Sequence, residues 1–242
     1  MADASPSHEA RAPRVVAGDR ALVWFGEAIR LWRQRPGVFS LMAVLVLVAS
    51  LAFDAVPIAG LLASNVVAPL LACGFLYGAL AADGGDRPRV AHFAAVFTAP
   101  PRAQFAVVAA ALAVTLIEAA VAWLVAGVNL LASAPDTSNL SPPLVLVIYA
   151  AGIVVSMPVQ FVPMAVLFDG EAPVSAFASS LRGCFMNPRT MLALALYSYA
   201  LLMAGLVTMG VGLVLGLPWI AMASYAAWKD IYAVAPRQRP RP

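Results

Sequence analysis

The sequence predicts an all-α integral membrane protein with six transmembrane helices and both termini on the cytoplasmic side. Three observations predict it. Hydrophobic residues fill 62% of the 242 positions and charged residues only 11%, with a mean hydropathy of +0.87. Soluble domains are nearer half apolar and a quarter charged, so lipid must solvate much of this surface. The charges also stand at the ends of apolar blocks long enough for ~30 Å of hydrocarbon, which takes about 20 helical residues. Finally, the positive charges fall in alternate connections, as cytoplasmic loops require.

Met1 to Gly18 is polar, with Pro6 and Pro13 and no apolar h-region, so residues 1–18 are expected to be a disordered cytoplasmic tail rather than a signal peptide. Asp19 to Gln34 then reads as an interfacial helix (19–35) capped by Asp19. Leu22, Phe25, Ile29 and Trp32 form its apolar face and Arg20, Glu27, Arg30 and Arg33 lie elsewhere.

Between Arg35 and Asp83 the only charge is Asp54, giving spans at about 37–56 and 59–81 with Pro57 and Gly60 at the turn. Between Arg102 and Asp169 only Glu118 and Asp136 are charged, and the polar run 133–143 is a loop. The spans there are about 103–131 and 143–168. Between Arg189 and Lys229 no charge occurs. That stretch is short for a hairpin, with spans at 189–210 and 213–232 and the turn within 210–218. Residues 234–242 form a basic cytoplasmic tail.

The Lys and Arg counts of residues 1–35, 83–102, 169–190 and the C-terminal end are six, three, two and four, which accounts for all 15 in the chain. An odd number of spans would place Arg237, Arg239 and Arg241 outside, so the charge pattern selects six. Trp24, Trp32, Tyr77, Trp228 and Tyr232 are expected at the inner interface, Trp123 and Trp219 towards the outer one.

The cytoplasmic segments share a plan. Pro173 to Met186 repeats the interfacial helix, with Pro173 in the first turn and Val174, Phe177, Leu181 and Phe185 as its stripe. Pro88 to Phe97 is a shorter version with Val90, Phe93 and Val96 or Phe97. Counted back seven positions from Pro36, Pro100 and Pro188 stand Ile29, Phe93 and Leu181. Eleven positions back stand Phe25 and Phe177, while Arg89 breaks the match. Each hairpin returns to an acidic residue: Asp83, Asp169, Asp230. The pattern suggests a threefold repeat of interfacial helix plus hairpin.

These motifs, Trp24 to Pro36, Val166-Leu-Phe-Asp-Gly170, Asn187-Pro188 and Ser224-Tyr-Ala-Ala-Trp-Lys-Asp-Ile-Tyr232, resemble those of six-helix bacterial inner-membrane proteins of unassigned function. The resemblance covers about 19–232. It implies a bacterial inner membrane and this fold, and carries over no substrate and no catalytic residue.

Ionisable residues within a span are functional candidates by default. Glu118 lies ~24 Å from Arg102 at ~1.5 Å per residue, deep enough to carry a proton or grip a cation; the structural alternative is a hydrogen bond to a neighbouring helix. Asp54, ~27 Å from Pro36, falls at the outer boundary and is expected to be solvated. Ser156, Pro158, Gln160 and Pro163 interrupt the fourth span near mid-bilayer. Broken helices of this kind form binding sites in transporters and also occur as plain kinks. Pro69, with Ser64 and Asn65, interrupts the second span more mildly. Gly74-x-x-x-Gly78 is a weak helix-contact motif, and Gly212-x-x-x-Gly216 reads as turn. Asp230 is expected to pair with Arg30 or Arg182 and pin interfacial helices to the bundle.

Cys73 and Cys184 have no ligand-like spacing and read as small packed residues. His8 and His92 lie in the tail and a cytoplasmic helix, so no metal or cofactor is expected. The P-loop, G-x-S-x-G, H-E-x-x-H and Rossmann patterns do not occur, and the basic residues are explained by topology rather than by nucleic acid. The sequence therefore favours a non-enzymatic membrane scaffold or assembly factor that touches membrane lipids and other membrane proteins. The alternative is a small transporter or channel using Glu118, Gln160 and the broken fourth helix.

Overall fold

The computed structural model describes residues 11–54, 56, 59–132 and 141–234, with the side chains of residues 54, 59 and 61–64 outside that description. Among these residues the chain is all-helical, and five segments are long and apolar enough to cross a membrane: Pro36–Phe53, Asn65–Asp83, Pro101–Ala126, Pro142–Leu167 and Pro188–Val207. The chain is a membrane-embedded protein.

The helices are α1 (Arg20–Arg33), α2 (Pro36–Asp54) and α3 (Ala59–Asp83), a 3-10 helix (Val90–Thr98), α4 (Pro101–Ala126), α5 (Pro142–Ser156), α6 (Val162–Leu167), α7 (Pro173–Met186), α8 (Pro188–Val207) and α9 (Leu213–Ile231). A proline opens α2, α4, α5, α7 and α8, where its missing N–H would be unpaired anyway and its fixed φ suits the first turn. The ends at Asp83, Pro101, Pro188 and Ile231 share one face of the bundle with most of the charge, called here the charged end.

α9 is the hub. It packs against α1, α2, α3 and α8, and every residue from Met222 to Trp228 is buried. Protein surrounds this second half of α9, so it tolerates Tyr225 there and Lys229 and Asp230 at its end. The pairings α2–α3, α4–α5 and α8–α9 form hairpins, α1 lies on α9, the 3-10 helix lies on α3, and α7 lies on α6.

Several expectations change on contact with the structure. Asp19 precedes α1 but makes no side-chain cap bond. On α1 the buried face is Ala21, Trp24, Ala28 and Leu31, while Leu22 is exposed and Phe25, Ile29 and Trp32 are half-buried. On α7 the inward residues are Ala176, Ser180, Gly183 and Cys184, whereas Val174 and Phe185 are 83% and 70% exposed. Small residues on α7 permit close helix contact; of the expected stripes Leu22, Val174, Leu181 and Phe185 turn outward, while Phe25, Trp32 and Phe177 pack at the margin of the core. In place of the expected helix over Pro88 to Phe97 stands the 3-10 helix Val90–Thr98, whose three-residue repeat aligns Val90, Phe93 and Val96. Val96 is accordingly buried and Phe97 exposed.

α4 stops at Ala126, short of the expected 131, because Gly127 adopts a left-handed conformation (φ 67°). The 208–212 turn separates α8 from α9, with Met209 and Gly210 at positive φ. Trp219, expected towards the outer interface, packs edge-on against Trp32 of α1 with ring centroids 5.8 Å apart. Residues 1–10 and 235–242 of the two expected tails lie outside the described residues, but residues 11–17 are not a free tail. They run extended over the charged end, with the Arg14 N–H donating to Ile231 O (2.8 Å) and Pro13 buried.

Both glycines of Gly74-x-x-x-Gly78 admit close contacts. A methyl group at 74 would lie 2.7 Å from the Phe93 Cα of the 3-10 helix, and one at 78 would lie 2.7 Å from the Phe39 ring of α2. Gly74→Ala is therefore expected to destabilise the protein by about 1–3 kcal/mol, since backbone must move. Gly26→Ala on α1, with nothing within 4 Å, is expected to leave the melting temperature in detergent unchanged or slightly raised. Equal melting of the two variants would refute the close approach.

Candidate functional site

Two places concentrate polar groups. The first is the charged end, where each acidic residue that ends a hairpin meets a cation. Asp83 accepts from Lys229 Nζ (2.5 Å) and from the Tyr225 hydroxyl (3.1 Å), and Arg30 comes within 3.6 Å. Asp169 pairs with Arg11 at 3.1 Å. Asp230 accepts from Arg14 (2.9 Å), Arg20 Nε (2.7 Å) and Trp24 Nε1 (3.0 Å).

Asp230 thus does fasten α1 to the bundle, but through Arg20 and Trp24 rather than Arg30 or Arg182. The reason is register: the first turns of α1 meet the end of α9, and Arg30, some 15 Å further along the helix, reaches Asp83 and Glu27 instead. A hydrogen bond from Arg30 holds the Glu27 carboxyl below its ordinary range, against the effect of burial. Arg182 is exposed on α7 and makes no ion pair with a described residue.

Asn187, at the corner between α7 and α8, is 3% exposed. Its amide donates to Arg14 O and Gly183 O (both 3.0 Å) and accepts from Val16 N–H (2.8 Å), binding the N-terminal strap. Sequence reasoning missed Arg14, Arg20 and Asn187 as clamps because the arginines were accounted for as topology markers. The Asn-Pro corner was visible, its long-range partner was not. Glu171 was also missed. It is 7% exposed and accepts from the Ser175 hydroxyl (3.0 Å).

The second place is a partly open cavity of about 390 Å³ lined by α3, α4, the α5–α6 break, α8 and α9. The break arises where Pro158 and Pro163 cannot donate backbone hydrogen bonds: α5 ends at Ser156, Met157–Val159 turns as a 3-10 segment, and α6 restarts at Val162. Ser180 of α7 takes up the Phe161 N–H (3.1 Å). Gln160 donates to the Ser224 hydroxyl of α9 (2.7 Å), which in turn donates to Ile220 O (2.9 Å). Ser156 and Ser198 add hydroxyls, Cys73 and Pro69 contribute from α3, and among the described residues no charged side chain lines the space.

Glu118 does not line it. The α4 lining ends at Val114, and Glu118 sits one turn beyond, laid over Gly152 of α5 so closely that any side chain at 152 would overlap its carboxylate. Gln160 and Glu118 are therefore not brought together. The side chain of Asp54 lies outside the described residues. Cys184 is buried in α7, and no group of three His, Cys, Asp or Glu able to hold a metal occurs among the described residues.

Comparison of the chain with known families, curated proteins and solved structures finds no match.

Asp230→Ala leaves Arg14, Arg20 and the Trp24 indole without their shared acceptor and is expected to lower stability by about 1–3 kcal/mol. Arg182→Ala is expected to stay within about 0.5 kcal/mol of wild type. Thermal denaturation in detergent compares them, and a larger effect at 182 would contradict this network.

Proposed function

We propose that this chain is a non-enzymatic scaffold or assembly factor of the bacterial inner membrane, engaging lipids and other membrane proteins through amphipathic helices on its cytoplasmic face. The observation that carries the reading is the outward array of large apolar side chains beside the charged end. Val174, Leu181 and Phe185 on α7, Leu22 on α1 and Phe97 on the 3-10 helix are all exposed. Arg182 stands on the same helix as the α7 residues, and basic side chains next to such a surface favour anionic headgroups.

The reading includes α9 as a sixth span, both termini in the cytoplasm, and membership in the six-helix group that the motifs resemble. It also includes the threefold repeat. What supports the repeat is cyclic packing: the 3-10 helix rests on α3, the last helix of the first hairpin, α7 on α6, which ends the broken return span of the second, and α1 on α9, the last helix of the third. A transport reading has one observation in its favour, the cavity at the broken fourth span, while its intended carboxylate lies outside that cavity.

A photo-activatable amino acid at 174 or 185 is expected to capture lipid or a membrane protein in cells. Absence of adducts at 185 would overturn the proposal. So would solute or proton flux in proteoliposomes that Glu118→Gln abolishes.

A further inference from the structure

The lining of the 390 Å³ cavity occupies one stratum of the bundle. Counted from the charged end at ~1.5 Å per residue, the lining runs from Leu76 to Pro69 on α3 (roughly 10–21 Å), Val107 to Val114 on α4 (roughly 9–20 Å) and Ala195 to Leu202 on α8 (roughly 10–21 Å). Ser224 and Ile220 of α9 fall at roughly 10 and 16 Å on the same count. Four helices thus agree on a site about halfway into a ~30 Å hydrocarbon layer.

Its chemistry is that of a small-molecule site rather than an ion path. The volume lies within the 300–1,000 Å³ range of ligand pockets, which are mostly apolar with a few placed polar groups. The space is partly open to the exterior and its lining is chiefly hydrocarbon, so a lipophile can enter it, and one that fills it gains dispersion contacts with the lining. With no charged side chain among the described lining residues, a charged group there would have no counter-ion among them.

The polar groups are specific in kind. Gln160 uses one amide N–H on Ser224; an amide has a second N–H and an acceptor oxygen, and neither meets a described residue. The Ser198 hydroxyl, on a side chain 8% exposed, likewise makes no hydrogen bond to a described residue and lines the same space. Plain acyl chains have no use for donors at this depth.

We propose that this cavity binds a neutral lipophile carrying a carbonyl or hydroxyl oxygen, which Gln160 and Ser198 recognise by hydrogen bonding while Leu76, Val114 and Ile220 pack its hydrocarbon. The site is independent of the outward surface of α7, so either proposal can fail without the other.

A hexyl-substituted benzophenone, a neutral hydrocarbon with one carbonyl that also photolabels, is a suitable probe for the full-length protein in nanodiscs. Saturable labelling is expected at Met157 and Met164, both in the lining, and is expected to fall at least tenfold in Ala111→Phe, which fills the space. Gln160→Leu and Ser198→Ala are each expected to weaken apparent affinity severalfold, while labelling by a hexadecane diazirine, which lacks the oxygen, stays unchanged in both. Melting temperatures identify any variant that fails to fold, and Ser198→Ala then decides in place of Gln160→Leu. Non-saturable labelling confined to outward residues such as Leu196, undiminished labelling in Ala111→Phe, or equal benzophenone affinity in a folded Gln160→Leu and Ser198→Ala would each overturn the proposal.

Discussion

Lys229 and Asp230, adjacent and opposite in charge, hold the charged end together by pairing in different directions. Lys229 reaches Asp83 at the end of α3, and Asp230 collects Arg20 and Trp24 from α1 and Arg14 from the N-terminal strap. Two neighbouring side chains on the hub helix thereby fix the position of three other segments. Beneath them Tyr77, Phe168, Tyr225 and Trp228 form a chain of tilted and edge-on ring contacts 5.3 to 6.4 Å between centroids. The aromatic layer limits water at Asp83, whose side chain is 9% exposed, and low local polarity strengthens the pair it makes.

That arrangement follows from the solvent. In lipid, apolar side chains gain little by burial against one another, so close packing and polar contacts hold helices together. The inward faces accordingly use Ala, Gly and Ser, as on α7, and leave Val174 and Phe185 outside. The glycines at 74 and 78 belong to the same economy of space, one admitting the backbone of the 3-10 helix and the other the ring of Phe39.

The helices and most of their limits were legible because hydrocarbon thickness and charge placement act on local sequence. Pro173 to Met186 matches α7 in both bounds, and the proline-broken fourth span matches the α5–α6 interruption. What was not legible depends on which faces meet. The apolar stripes of α1 and α7 were read as faces for one apolar environment, whereas these helices touch two, protein on one side and the exterior on another. On α7 the protein-facing residues are small and carry little hydropathy signal, and on α1 Trp24 and Leu31 face the protein beside two alanines. Asp230 was legible as a clamp because a carboxylate at a span end needs a cation. Its choice of Arg14 and Arg20 was not, because it depends on the strap folding back over 216 residues of separation.

Glu118 shows how a depth count can be sound and still not reveal which side chains share a cavity. Val107, Ala110, Ala111 and Val114 line the cavity from α4, and Glu118 continues the same helical face by one further turn. At that turn Gly152 lets α5 close against it, so the face that is open to the cavity below is sealed at the carboxylate. The break at Pro158 and Pro163 lies on the open side of this seal. There the chain departs from α5 instead of continuing along α4, and Gln160 turns to α9. Its ionisable group within a span ranks Glu118 above Gln160 as a candidate, but the close packing at Gly152 leaves Gln160, not Glu118, in the cavity lining.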